Sequence, residues 1–131
     1  MSKTSISTNE ELRKGEYLLS TNGKFKAEFT GDGNLAIFTW NPIWSTNTAG
    51  SKADRIVLEK NSNLAMYTSD NQIIWLSDTH SNTTSDRMHL AITNDGKLVL
   101  DRDGVTLWSK PEPFPFLPPL GPAGQNNLLL Q

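Results

Sequence analysis

Three copies of one layout constrain this chain more than any other feature of it. Residues 30–44 read TGDGNLAIFTWNPIW: a Gly/Asp/Asn turn, a short alternating run, then a tryptophan. Residues 59–75 read EKNSNLAMYTSDNQIIW, and residues 93–108 read TNDGKLVLDRDGVTLW. Asp32, Asn61 and Asp95 hold the same slot at intervals of 29 and 34 residues, and Trp44, Trp75 and Trp108 follow them by 12, 14 and 13. A period in this range marks a repeat architecture, in which no unit buries its apolar face alone and neighbouring units do it for one another.

Within each copy the period of the apolar residues is two, which is the period of a strand. Strands are predicted over 17–20, 25–29, 35–39 and 42–45 in the first copy. The second has 55–59, 64–67 and 73–75, and the third 88–92, 98–100 and 105–108. Asn22-Gly23, Gly31-Asp32-Gly33 and Asp103-Gly104 are hairpin-forming pairs and triplets that separate them. Many short strands with turns at even spacing predict an all-β fold of antiparallel sheets. Three sheets facing a common axis would bury one another's apolar faces, with Trp44, Trp75 and Trp108 meeting near that axis. Trp40 has no counterpart in the other copies and is expected at the surface or at an interface. Residues 46–53 and 79–86 read as polar links. Residues 1–14 read as a leading segment laid on the surface, in which Thr8-Asn9-Glu10-Glu11 would cap one helical turn.

Composition narrows the function classes. A chain of 131 residues holds one ordinary core. Twelve basic against 14 acidic residues give a formal charge of −2, and no basic face is available to neutralise phosphates, so no nucleic-acid partner is expected. With no cysteine and only His80 and His89, the chain has no thiolate or histidine motif for a metal. Neither histidine begins a nucleophile motif, and the carboxylates of Asp32, Asp101 and Asp103 fall on separate turns, so no enzyme, cofactor or metal is expected. No apolar run reaches the length of a membrane span, and residues 1–19 lack the apolar stretch of a signal peptide. The glycosylation triplet Asn82-Thr83-Thr84 is read as an unmodified polar turn in a leaderless chain. After Lys110 the composition changes: residues 111–131 carry six of the seven prolines. No ladder strand continues through them, and Phe114, Phe116, Leu117 and Leu120 predict a polyproline-like arm docked on this subunit or a second one.

The segments GEYLLSTNGKFKAEFTGDGNLAIF, PIWSTNTAG, NSNLAMY, IIWLSDT, NDGKLVL and TLWSK are similar to the bulb-type mannose-binding lectins of monocots. They more closely resemble the leaderless lily-type lectins of fish skin mucus. The likeness runs from about residue 12 to residue 110. It implies a β-prism of three four-stranded antiparallel sheets with pseudo-threefold symmetry, one sugar groove per sheet, and an extracellular setting in mucus reached by non-classical export. The domain reading that follows is a lectin domain over 1–110, with repeats at about 15–48, 49–82 and 83–110, and a Pro-rich arm over 111–131. A homodimer through the C-terminal strand or the arm is the assembly the resemblance implies.

The family binds mannose through Gln-x-Asp-x-Asn-x-Val-x-Tyr, and the five slots carry over unevenly. The first copy places Thr30, Asp32, Asn34, Ala36 and Phe38 in them, losing the glutamine and the tyrosine. The second places Glu59, Asn61, Asn63, Ala65 and Tyr67, keeping a phenol and an amide at the third slot. The third places Thr93, Asp95, Lys97, Val99 and Asp101, keeping only Asp95 and Val99. The expected ranking is second copy, first copy, then a third with no mannose function. Two readings stay open: a divergent lectin for mannose-type glycans, and a lectin-fold scaffold working through protein contacts or another ligand.

Overall fold

The computed structural model describes residues 3–112. The expectation for the Pro-rich arm lies almost entirely outside the described residues. Twelve strands are present: β1 (Ser5–Ser7), β2 (Glu11–Arg13), β3 (Tyr17–Leu19), β4 (Lys26–Phe29), β5 (Leu35–Phe38), β6 (Pro42–Ser45), β7 (Ala53–Leu58), β8 (Leu64–Thr68), β9 (Ile73–Leu76), β10 (Met88–Ile92), β11 (Leu98–Arg102) and β12 (Val105–Lys110). They pair antiparallel into three four-stranded sheets, in the orders β3-β4-β5-β6, β2-β7-β8-β9 and β1-β10-β11-β12. No helix long and apolar enough to cross a membrane occurs among the described residues.

Alternation sets the inward face. Ala27, Phe29, Leu35 and Ile37 of the first sheet are buried, as are Ile56, Leu58, Leu64 and Met66 of the second. Leu90, Ile92, Leu98 and Leu100 of the third complete one continuous core. In each sheet the pairing slips by one residue at the same place, after Ile37, Met66 and Leu100. The bulge leaves Ile43, Ile74 or Leu107 as the extra residue and turns the following tryptophan inward. Trp44, Trp75 and Trp108 therefore meet, with ring centroids 6.4, 5.7 and 5.9 Å apart and interplanar angles of 68°, 78° and 68°. They are half-buried on the edge strands β6, β9 and β12, packed against the core at one end of the prism.

The other end is closed by the leading segment, which differs from expectation. Residues 8–11 form no helical turn; β1 and β2 on either side are the missing edge strands of the third and second sheets, and β3 is that of the first. The middle residue of each strand, Ile6, Leu12 or Leu18, is completely buried. Glu10 accepts the Ser7 N–H at 2.6 Å, the backward half of a capping box set one residue before the Thr8–Glu11 pair expected to cap a helix. Asn9, at φ 67°, then turns the chain out of any helix. The device repeats six residues on: Glu16 accepts the Arg13 N–H at 2.7 Å and Gly15 stands at φ 88°. The belt returns on itself where the Leu19 N–H donates to the Lys3 carbonyl at 2.8 Å.

Because this belt is part of the core, Leu12→Ala should cost about 2–5 kcal/mol in urea unfolding followed by tryptophan fluorescence, the range for a fully buried leucine. A change of only about 0.5 kcal/mol would place the segment on the surface instead.

Candidate functional site

All three five-slot motifs begin in the turn before the third strand of a sheet and run out along that strand's outward face. The turn has its own chemistry, and this decides which side chains are left for a ligand. In the first copy the Thr30 hydroxyl donates to the Asp32 carboxylate and accepts the Asn34 N–H at 3.3 Å. Thr93, Asp95 and Lys97 repeat this in the third copy, with the Lys97 N–H at 3.0 Å. The same clasp joins Thr68, Asp70 and Gln72 in the β8–β9 turn, outside any motif slot. The clasp is therefore turn construction in the first instance, of the kind short polar side chains provide.

The second copy keeps the turn backbone, with the Glu59 N–H donating to the Asn63 carbonyl at 2.8 Å, but has no threonine to clasp it. Glu59 instead reaches along the groove, where its Oε2 accepts the Tyr67 hydroxyl at 2.5 Å. This bridge joins the first and fifth slots, spanning the side that holds Ala65, itself completely buried. Arg55, opposite Tyr67 in the β7–β8 register, lies over the phenol ring at 4.9 Å and donates to the Thr68 carbonyl and to Asn71 Oδ1 at 3.2 and 2.5 Å. The Glu59 hydrogen bond, then burial, then the carboxylate's charge push the Tyr67 phenol up to about 12, against a smaller opposing pull from Arg55.

Asn34 and Asn63 in the third slot share a second duty. Asn34 Oδ1 accepts the Thr48 N–H at 3.1 Å and the Thr46 hydroxyl at 3.1 Å. Asn63 Oδ1 accepts the Thr79 N–H at 2.9 Å, and Asn63 is buried. Each amide oxygen thus fastens the link leaving the sheet, while the amide nitrogen makes no hydrogen bond among the described residues. In the third copy the chain leaves β12 as Pro111, and Lys97 stands in the slot with Nζ donating to the Pro111 carbonyl at 3.3 Å. Asp101, in its fifth slot, accepts the Thr106 hydroxyl at 2.8 Å. Asn61 spends its oxygen on the Asn63 N–H at 3.1 Å.

The structure thus brings Glu59 and Tyr67 into direct contact and lines Asn61 and Asn63 along the turn beside them. It ties Thr30 to Asp32 and Thr93 to Asp95, and it gives Asn34 a structural partner. Arg55 carries no mark in the sequence, because only the strand register sets it against Tyr67. No group of three or more His, Cys, Asp or Glu side chains that could hold a metal occurs among the described residues.

Three four-stranded antiparallel sheets that bury their apolar faces against one another define a β-prism of the lectin type. The chain is 41% identical to the B-type lectin plumieribetin of Scorpaena plumieri over 79% of its length and 91% of that protein. It is 30% identical to a mannose-specific lectin of Aloe arborescens over 78% of its length and 91% of that lectin. The mannose-specific agglutinin of snowdrop (Galanthus nivalis) bulbs, solved with methyl-α-D-mannoside, superposes with a TM-score of 0.69 at 25% identity, covering 86% of this chain and 99% of the agglutinin. No family model matches the chain. With these relatives, the chain belongs to the bulb-type, or B-type, lectin family.

Glu59→Ala removes the leading cause of the Tyr67 shift, the accepting carboxylate, together with its charge. In a Tyr17→Phe background, ultraviolet titration should then show Tyr67 ionising closer to its ordinary value of 10.0 than to about 12. A raised phenol favours the protonated folded state. The stability it confers is therefore complete below pH 10 and lost as pH rises through about 12, and Glu59→Ala shrinks that loss.

Proposed function

We propose that this chain is a non-catalytic lectin for mannose-type glycans whose principal groove is formed by Glu59, Asn61, Asn63 and Tyr67. Thr30, Asp32 and Asn34 form a weaker second groove, and the copy containing Asp95 has no mannose role. The observation that carries the reading is the Glu59–Tyr67 contact. It sets an acceptor and a hydroxyl side by side in the two outer slots, where adjacent sugar hydroxyls would exchange with them, and the amide nitrogens of Asn61 and Asn63, unbonded among the described residues, would donate to further sugar oxygens.

A monosaccharide of about a dozen heavy atoms gains roughly 4 kcal/mol at ~0.3 kcal/mol per atom, which is millimolar binding. Separating Glu59 from Tyr67 lowers this further. Useful affinity then comes from several grooves engaging one branched glycan, an arrangement worth ~10²–10⁴ in avidity. A homodimer through β12 or the Pro-rich arm supplies the additional grooves. The reading predicts that Tyr67→Phe weakens retention on mannose–agarose by about fivefold, the equivalent of one hydrogen bond near 1 kcal/mol. Tyr67→Phe is preferred to Asn63→Ala, because Asn63 also fastens the link at Thr79.

The clasps at Thr30–Asp32 and Thr93–Asp95 favour a second reading, a scaffold that has given up mannose. No retention of the unmodified protein at any mannose density, with its β circular dichroism intact, would select it. For assembly, removal of residues 111–131 should lower the mass by light scattering to that of a monomer; an unchanged mass would leave β12 as the contact.

A further inference from the structure

Trp40 breaks the threefold pattern. It sits in the turn between β5 and β6 with 96% of its surface exposed, whereas the other three tryptophans pack against the core. A single exposed apolar side chain is ordinary on a protein surface. This one, however, walls an open cleft of about 550 Å³ lined by Gly23, Lys24, Phe25, Thr39 and Trp40. That volume lies within the range of small-molecule sites.

The opposite wall is held in advance. The Asn22 N–H and the Thr21 hydroxyl donate to Asn94 Oδ1 at 2.9 and 3.0 Å, and Asn22 Nδ2 donates to the Asn94 carbonyl at 3.0 Å. Asn22 Oδ1 in turn accepts the Lys24 N–H at 3.1 Å. Phe25 lies so close over Gly96 that a Cβ there would stand 2.8 Å from its ring. The turn of the third motif copy thus buttresses this wall. Lys24 forms no ion pair among the described residues, whereas the neighbouring Lys26 is paired with Glu28 at 2.9 Å.

Antiparallel connection puts this cleft at the far end of the first sheet from Thr30, Asp32 and Asn34. An accessible indole face, an unpaired ammonium and a hydroxyl on a fixed frame are complementary to a sugar ring with a negative charge. We propose that the cleft between the β3–β4 and β5–β6 turns is a separate binding site for a carboxylate-bearing pyranose, with the ring stacked on Trp40 and the carboxylate paired with Lys24. One cation in a chain of charge −2 is too little for a lipid surface or a nucleic acid. The assignment stands whether or not the second-copy groove takes mannose.

The test is a fluorescence titration of the full chain, reporting on Trp40 as the exposed indole, with sialyllactose and a glucuronic-acid oligosaccharide as probes. Lactose, a mannose oligosaccharide and anionic phospholipid vesicles serve as comparisons. Saturable quenching or a blue shift is expected with one or both acidic sugars, weakened severalfold by raising salt from 0.05 to about 0.5 M. Trp40→Ala and Lys24→Glu each should weaken binding by about tenfold or more when followed by calorimetry, and Tyr67→Phe should leave it unchanged. Equal binding of lactose, response to vesicles but not sugars, or no saturable change with either acidic sugar would overturn the assignment. Mannose retention weakened about fivefold in Tyr67→Phe but unchanged in Trp40→Ala separates the two sites.

Discussion

The structure depends on a covering constraint. A four-stranded sheet with one apolar face cannot stand in water alone, and here three such faces cover one another about an axis. The tryptophans close that arrangement at one end. Each indole meets the other two edge to face, the geometry favoured by the aromatic quadrupole and worth about 0.5–1.5 kcal/mol per pair beyond the area buried. Because the interior is spent on this mutual packing, binding chemistry is left to the outward faces and the turns. Every motif slot is found there.

The sheets were legible in the sequence because each copy restates the same alternation, and the copies check one another. The Asp103-Gly104 pair and the Trp44, Trp75 and Trp108 spacing located strand ends to within a residue or two. The belt was not legible in the same way. A three-residue strand shows one buried side chain and no alternation, so Ile6 and Leu12 look isolated. What they share with Leu18 is a spacing of six, the length of one edge strand plus one turn, with Glu10 and Glu16 clasping equivalent turns. A helix signal was present in Thr8 to Glu11, but the left-handed Asn9 overrides it.

The candidate grooves were legible as positions and only partly as chemistry. Slot counting places Glu59, Asn61, Asn63 and Tyr67 along one turn and strand, but it is silent on what each atom already does. A threonine in the first slot can serve as a turn clasp, and Thr68–Asp70 shows that the clasp needs no groove. A carboxylate in that slot is long enough to leave the turn and reach Tyr67. The partner Arg55 comes from strand pairing over a separation no local pattern reports.

Under the pseudo-symmetry the three copies differ in what their third slot fastens. Asn34 and Asn63 each hold the link that follows their sheet, so losing either asparagine would loosen a connection as well as a groove. In the third copy Lys97 occupies that slot and holds the departing chain at the Pro111 carbonyl. Its turn also serves a neighbour: Asn94 fastens Asn22 and Gly96 admits the ring of Phe25. The turn of the third copy is thus shared between its own motif and the cleft wall beside Lys24.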